Sequence, residues 1–175
     1  MYPFFRLFST TIKSIASPKL DIHEMSETSF RCHPWDIDMF FEANNGRLIT
    51  LYDLGRFDLA IRTGFIKMLK KERWGLVVAG SSIRYRRRVR MFDKMIMRTQ
   101  FIGKDEKWFY LNQSIWVKGQ PTSSVLFRTG VTCKNGTVPT EDVAKALNVK
   151  HWQTIDSDWL NTWISCEEKR PWPPK

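Results

Sequence analysis

The chain has 175 residues, of which 42% are hydrophobic and 26% charged, and its 28 Lys and Arg residues against 18 Asp and Glu give a formal net charge of +10. These values exclude a disordered, a collagen-like and a low-complexity chain. The length suits one domain with a sizeable core.

Cysteine usage and hydropathy favour a cytoplasmic protein. Cys32, Cys133 and Cys166 include no Cys-x-x-Cys pair, which argues against a disulfide framework or a cysteine-based zinc site and fits a reducing compartment. No apolar run approaches the roughly 18 residues that a membrane-spanning helix needs. We therefore expect a cytoplasmic location and no transmembrane segment.

Residues 1–25 are predicted to form an N-terminal helical segment. Phe and Ile alternate there with Arg6, Lys13 and Lys19, and no acidic residue precedes Asp21. The pattern favours a helix that lies on the domain. A weak contact with a membrane surface, or a transit-like segment, is the alternative.

The remaining elements follow from hydrophobic periodicity. Helix 44–63, with Asn44 or Asn45 as its N-cap, is apolar most of the way round and is therefore expected to be buried. The other predicted elements are strand 28–35, helix 65–73, strands 76–90, 94–103, 107–118 and 122–133, and helices 140–148 and 156–168. Gly80 is a candidate bulge, and residues 135–136 are expected to end the sheet.

This order of elements predicts an α+β architecture in which one long central helix is wrapped by a curved antiparallel sheet. Such a sheet leaves an open face and exposed edge strands. Because edge strands pair readily with another chain, we expect a homodimer or a dimer of dimers.

Positive charge is concentrated in one stretch of the chain. Residues 62–94 include eleven basic and two acidic residues, and the run 84–88 is their centre. In a strand, this run would place Arg84, Arg86 and Arg88 on one face. A local polyanionic partner is the functional interpretation, and a solvated outer face of the sheet is the structural one.

The motifs of several enzyme classes are missing from the sequence. It holds no Gly-x-Ser-x-Gly elbow, no Walker loop and no dinucleotide-binding glycine loop, and its three histidines lie far apart. We therefore expect neither a metal site nor a cofactor, and a chemistry that depends on carboxylates and backbone dipoles.

Two carboxylates, Asp36 and Asp38, precede the predicted buried helix by a few residues. A helix N-terminus offers unpaired N–H groups and partial positive charge, so a carboxylate beside it can form a reactive group next to an oxyanion site. The alternative is structural, since acids before a helix often cap it and interact with its dipole. On the residues alone, the structural alternative is the more common one.

Three segments resemble the hot-dog-fold acyl-CoA thioesterases of the 4-hydroxybenzoyl-CoA thioesterase type: residues 35–47, 52–56 and 83–88. That family has Asp-x-Asp, a short loop, a pair of Asn residues and then a helix with an acid followed by Arg. The resemblance covers about residues 26–138 and leaves 1–25 as an N-terminal segment and 139–175 as a C-terminal helical extension. It implies a hot-dog fold with extra N- and C-terminal helices.

The resemblance also implies roles for individual residues. Asp38 falls on the family's catalytic carboxylate, which acts as nucleophile or as general base for water. Asn45 falls on the residue whose backbone N–H polarises the thioester carbonyl, and Asn44 shapes the turn before it. Asp53 falls on the acid of the helix and Arg56 follows it, although a buried ion pair between these two is at least as good an interpretation.

One position departs from the family pattern. Many relatives carry His four residues after the catalytic Asp, where this chain has Glu42. A Glu adds a second negative charge, which marks either a site with two carboxylates or a protein that has lost catalysis. We count Glu42 among the candidate catalytic residues and leave both alternatives open.

The resemblance implies hydrolysis of an acyl-CoA or acyl-carrier-protein thioester. Arg84, Arg86 and Arg88 would then meet the phosphates of coenzyme A or the acidic surface of the carrier protein. The alternative is a non-catalytic hot-dog protein that binds acyl thioesters or a polyanionic partner. Nucleic acid is disfavoured because no aromatic platform interleaves with the arginines, and a dehydratase is disfavoured because no His lies near the helix.

Overall fold

The computed structural model describes residues 2–152, 157–171 and 173–174. These residues include five α-helices and six β-strands. In chain order they are α1 (Phe4–Ala16), β1 (Ser26–Arg31), α2 (Asn45–Arg62), α3 (Phe65–Glu72), β2 (Gly75–Tyr85), β3 (Lys94–Lys104), β4 (Phe109–Val117), β5 (Gln120–Cys133), β6 (Gly136–Val138), α4 (Thr140–Ala146) and α5 (Asp158–Lys169). A 3-10 turn, Pro34–Asp36, lies between β1 and α2. Residue 156, the predicted start of the last helix, lies outside the described residues.

The strands form one antiparallel sheet in the order β1-β3-β4-β5-β2, with β6 beside β5. The sheet curves around α2, whose Leu48, Tyr52 and Leu59 are buried. A register shift between Val78 and Gly80 marks a bulge next to the predicted position. The predicted α+β hot-dog architecture, a long central helix wrapped by a curved sheet with extra N- and C-terminal helices, is confirmed.

Local contacts explain where α2 begins, ends and meets the sheet. Asn44 is the N-cap, as predicted, and its side-chain oxygen accepts a hydrogen bond from Arg47 N at 3.1 Å. Gly64, with a φ of 78°, follows α2 and lets the chain turn into α3. At Gly55 the helix comes so close to β3 that a Cβ atom would overlap the hydroxyl of Thr99.

α1 lies against α2 and is fastened there through two buried acids. Ser14 Oγ donates to Asp58 Oδ1 at 2.5 Å, and Arg6 pairs with Asp36. α1 exposes large apolar side chains to solvent: Phe5, Phe8, Ile12 and Ile15. No helix among the described residues is long and apolar enough to cross a bilayer, and the membrane-surface contact of the N-terminus stays a prediction.

α5 packs on the outer face of the sheet, away from α2. Its Leu160 is buried together with Tyr110 and Leu126, and Trp163 meets Tyr110 edge to face, with 6.4 Å between ring centroids. The C-terminal extension therefore shields apolar side chains that the central helix does not reach.

Strand β2 is shorter than predicted, because it ends at Tyr85 and not at residue 90. Arg86 N and Arg87 N both donate to Thr122 O, at 2.8 and 3.0 Å, and the chain leaves the sheet there. The run of arginines thus stays in solvent. The prediction that alternate arginines of this run share one strand face is therefore wrong.

Two further boundaries differ from the prediction. β1 ends at Arg31, not at residue 35, because Pro34 opens a 3-10 turn in which the Asp36 carboxylate accepts a hydrogen bond from His33 N. The sheet also continues past residues 135–136, since β6 follows in a tight hairpin and pairs with β5.

Candidate active site

Asp36, the first of the two acids before α2, is fully buried. Arg6 Nη2 lies 2.7 Å from its Oδ2 atom, and Arg47 Nε lies 2.7 Å from its Oδ1 atom. His33 N also donates to Oδ2, at 2.8 Å. This acid therefore joins α1 to the first turn of α2, which is a structural role.

These donors stabilise the negative charge of Asp36. Burial would raise the pKa of Asp36, but the hydrogen bonds from Arg6, Arg47 and His33 N outweigh it and hold that pKa below its ordinary value. The carboxylate is therefore ionised at neutral pH, and its oxygens are engaged by three donor residues. Such a group is poorly suited to take a proton from water.

Asp38, the second acid, begins a tight turn that ends at Glu42. Asp38 N donates to Glu42 O at 2.9 Å, and Phe41 N donates to Asp38 O at 3.1 Å. Phe40 N donates to Asp38 Oδ1 at 2.8 Å. The side chain is partly exposed, so water and a substrate can reach it.

This turn lies next to the N-terminus of α2. Ile37 pairs with Ala43 in an antiparallel bridge, which brings the two ends of the turn together just before Asn45. The first N–H groups of a helix have no acceptor within the helix. Tyr85 Oη donates to Asn45 O at 3.0 Å and holds this first turn against β2.

Glu42 has a cationic partner. Arg88 Nε lies 2.8 Å from Glu42 Oε2, and Glu42 also pairs with Arg90 in a backbone bridge. Arg84, near the end of β2, and Arg86, in the segment that follows, are exposed. We call residues 84–90 the basic loop, and it flanks the turn that Asp38 begins.

Asp53 lies farther along α2, about 12 Å from Asn45 along the helix axis. Its carboxylate pairs with Arg56. Arg56 also donates to Gln113 Oε1 at 3.2 Å and lies 3.8 Å from the centroid of the Phe127 ring. These contacts support the interpretation of Asp53 as half of a structural ion pair, and its catalytic role stays a prediction.

One short stretch brings together half of the predicted site residues: Asp38, Glu42, Asn44 and Asn45. Arg88 joins it through its contact with Glu42. Sequence reasoning missed the buried cluster of Asp36 with Arg6 and Arg47. The one sequence feature that pointed to it was a single arginine, Arg6, among the apolar residues of the first helix. Among the residues that the structure describes, no three His, Cys, Asp or Glu side chains form a group that could hold a metal ion.

Comparison with known proteins assigns the chain to a family. A model of the thioesterase-like superfamily matches residues 32–173. The chain belongs to the thioesterase-like superfamily. This thioesterase-like protein is 34% identical over 94 residues to protein THEM6 of Xenopus laevis, a match that covers 53% of this chain and 45% of that protein. The chain spans less than half the length of the curated relatives that it matches.

Solved structures share the fold of this thioesterase-like protein. YbaW, a probable thioesterase from Escherichia coli, has a TM-score of 0.66 and 20% identity, with 70% of this chain and 96% of that chain covered. The DHNA-CoA thioesterase of Staphylococcus aureus has a TM-score of 0.62 and 13% identity, with 82% and 91% covered. At such identities the likeness is one of fold, and it agrees with the hot-dog architecture described above.

Proposed function

We propose that this protein hydrolyses the thioester of an acyl-CoA or of an acyl carrier protein. Asp38 acts as general base for water or as nucleophile, and the backbone N–H of Asn45 stabilises the oxyanion, with Asn44 shaping the turn before it. The observation that supports this most strongly is the tight turn that holds a partly exposed carboxylate beside the N-terminus of the buried helix. Membership of the thioesterase-like superfamily agrees with it.

In the general-base route, Asp38 takes a proton from water while the water oxygen attacks the thioester carbon. Charge develops on the carbonyl oxygen, where the N–H groups and the dipole at the start of α2 stabilise it. The C–S bond then breaks, and the leaving thiolate receives the proton from Asp38. The products are a carboxylic acid and a free thiol.

A thiol-release assay over short-chain, long-chain and aromatic acyl-CoA thioesters, and over acyl carrier proteins, tests this proposal. We expect release above the uncatalysed rate for at least one of them. Release from none of the substrates, by a folded protein, would contradict the proposed activity.

Glu42 favours a second candidate function, the binding of acyl thioesters without hydrolysis. Glu42 stands where many relatives have His, and its carboxylate faces Arg88. A protein of this kind would bind acyl-CoA in a calorimeter and release no thiol. The same substrate panel therefore separates the two candidates.

We predict that the basic loop contributes to substrate binding. Replacing Arg84, Arg86 or Arg88 singly with Ala should raise KM for acyl-CoA and leave kcat nearly unchanged, because phosphate contacts stabilise the ground and transition states alike. The increase should shrink with added salt and with an acyl-pantetheine substrate that lacks the nucleotide. Steady-state kinetics measure both parameters.

A lysine at the other end of the sheet provides the control for the basic loop. Lys134 is exposed and follows β5 next to Thr132, which pairs with Gly75 at the start of β2. Lys134→Ala removes one charge far from the loop and should leave KM unchanged. Unchanged KM values in all three arginine variants would instead mean that the basic loop is only a solvated surface.

We also predict a homodimer that forms through β2. This strand lies at the edge of the sheet path, and Leu76, Val77 and Val78 are 43%, 40% and 49% exposed. An apolar edge strand of this kind pairs readily with a second copy. Light scattering should give about twice the chain mass of 20.7 kDa, or about four times for a dimer of dimers.

A charge on the edge strand tests which surface pairs. Val78→Lys should shift the protein toward the monomer. Trp159→Lys, a matched change of an exposed apolar residue on α5, should not. A wild-type mass near 20.7 kDa would contradict the dimer, and an unaltered mass in Val78→Lys would contradict the role of β2.

A further inference from the structure

A cleft of about 1240 Å³ opens between the first turn of α1, residues 33–37 and the first turn of α2. Many of the side chains that line it are apolar or aromatic: Tyr2, Pro3, Phe4, Phe5, Trp35 and Ile37. We call it the α1 cleft. Its volume exceeds the roughly 300–1,000 Å³ of typical small-molecule sites, so it suits a long ligand.

The two arginines that line the α1 cleft are engaged by the buried acid beneath it. Arg6 donates to both oxygens of Asp36, at 3.2 and 2.7 Å, and to Arg31 O at 3.0 Å. Arg47 Nε donates to Asp36 Oδ1 at 2.7 Å. Asp36 therefore balances much of the charge of these two arginines, and their guanidinium groups are less available to an anionic ligand. This balance favours an uncharged apolar chain over a polyphosphate.

The α1 cleft and the basic loop flank the proposed reaction site on opposite sides. Ala43 pairs with Ile37, which lines the cleft, and Ala43 N donates to Val89 O of the basic loop at 2.8 Å. Asn44 and Gly46, at the start of α2, also line the cleft. A thioester with its carbonyl at the start of α2 would therefore extend one arm into the cleft and the other toward the arginines.

We propose that the α1 cleft binds the acyl part of the substrate and that this part is a long aliphatic chain. The inference rests on the proposed thioesterase function. It also orients the substrate, with the acyl chain toward α1 and the coenzyme A phosphates toward the basic loop. Phe5 lines the cleft and is 95% exposed, and a bound chain would remove its ring from water. α1 is then the element that selects the acyl group.

Calorimetric binding of S-hexadecyl-CoA, a thioether that cannot be hydrolysed, tests this proposal beside coenzyme A alone. The wild-type protein should bind the thioether more tightly than coenzyme A. Phe5→Ala and Trp35→Ala should each raise the Kd of the thioether by about tenfold and leave the Kd of coenzyme A unchanged, because only the alkyl chain would contact these rings. Thermal unfolding shows whether each variant keeps the fold.

Phe8→Ala is the matched control, because Phe8 lies on the same helix and is 68% exposed but does not line the cleft. It should leave both Kd values unchanged. If Phe8→Ala raises the Kd of the thioether as much as Phe5→Ala does, the alkyl chain contacts the exposed side chains of α1 nonspecifically and the proposal is overturned. If Phe5→Ala and Trp35→Ala weaken the binding of coenzyme A as much as that of the thioether, the cleft is a nucleotide site. If both variants bind the thioether as the wild type does, the cleft is not part of the substrate site.

Binding is measured here without turnover, so the two proposals can fail separately. If the thioether binds through Phe5 and Trp35 but no substrate releases thiol, the acyl site stands and the proposed hydrolysis fails. If thiol is released but the cleft variants bind the thioether as the wild type does, the proposed hydrolysis stands and the acyl site lies elsewhere.

Discussion

Asp38→Asn should lower the turnover of a responsive acyl-CoA on the order of 10³-fold while the fold is kept. An amide cannot take a proton from water or attack the thioester carbon, so both routes open to Asp38 are lost. The change is mild for the structure, because the amide oxygen of Asn can still accept the hydrogen bond that Phe40 N donates to Asp38 Oδ1. Thiol release measures the turnover, and circular dichroism checks the fold.

Asp21→Asn is the matched control for this substitution. Asp21 Oδ1 also accepts a hydrogen bond from the backbone N–H two residues later, that of His23, at 2.9 Å, and Asp21 is exposed. The control therefore removes the same charge from the same kind of turn, and turnover should stay at the wild-type level. A folded Asp38→Asn protein with unaltered turnover would rule out Asp38 as the catalytic carboxylate.

Glu42→Gln tests one alternative that the sequence left open, a site with two carboxylates. A loss of turnover close to that of Asp38→Asn would indicate a site with two carboxylates. Turnover near the wild-type level would indicate that Glu42 serves as the partner of Arg88, which lies 2.8 Å from it. The ion pair favours the second outcome, because it gives the Glu42 carboxylate a structural partner.

Periodicity predicted the central helix and the long strands because their burial patterns repeat over many residues. In β3, for example, Met95, Met97 and Thr99 are buried and alternate with less buried residues. Past Tyr85 the alternation is interrupted at Arg87 and resumes at Val89, so the pattern gave little sign that β2 ends there. The contact that ends it is with Thr122 O, which lies beyond two intervening strands in the sequence. Local hydrophobic periodicity does not predict a contact with a strand so distant in the sequence.

The candidate site was predictable to a similar degree. The spacing of the acids and asparagines, together with the family resemblance, identified the turn and the start of the helix. It could not tell which acid is buried, because that depends on Arg6, which lies 30 residues before Asp36. Arg6 also lines the α1 cleft. In the sequence, Phe4 and Phe5 look like residues that pack against a core, yet both are largely exposed.

Asp36→Ala should lower the free energy of unfolding by about 3–5 kcal/mol at neutral pH, because it leaves two largely buried guanidinium groups without their shared partner. The side chains of Arg6 and Arg47 are only 14% and 15% exposed, and that of Asp36 is fully buried. Urea unfolding at one fixed protein concentration measures the loss, since a dimer would make stability depend on concentration.

The pH dependence of this loss tests its electrostatic cause. The pKa of Asp36 is lower in the folded protein than its ordinary value, so its contribution is fully present above the ordinary value of about 4 and is lost as pH falls through the folded value. The difference in the free energy of unfolding between the wild type and Asp36→Ala should therefore be constant near neutral pH and become smaller in acid. Glu27→Ala, which removes the exposed partner of Arg98, should cost less than about 1 kcal/mol. If Asp36→Ala costs no more than this control, or if the difference does not become smaller in acid, the paired charge of Asp36 does not hold α1 on α2.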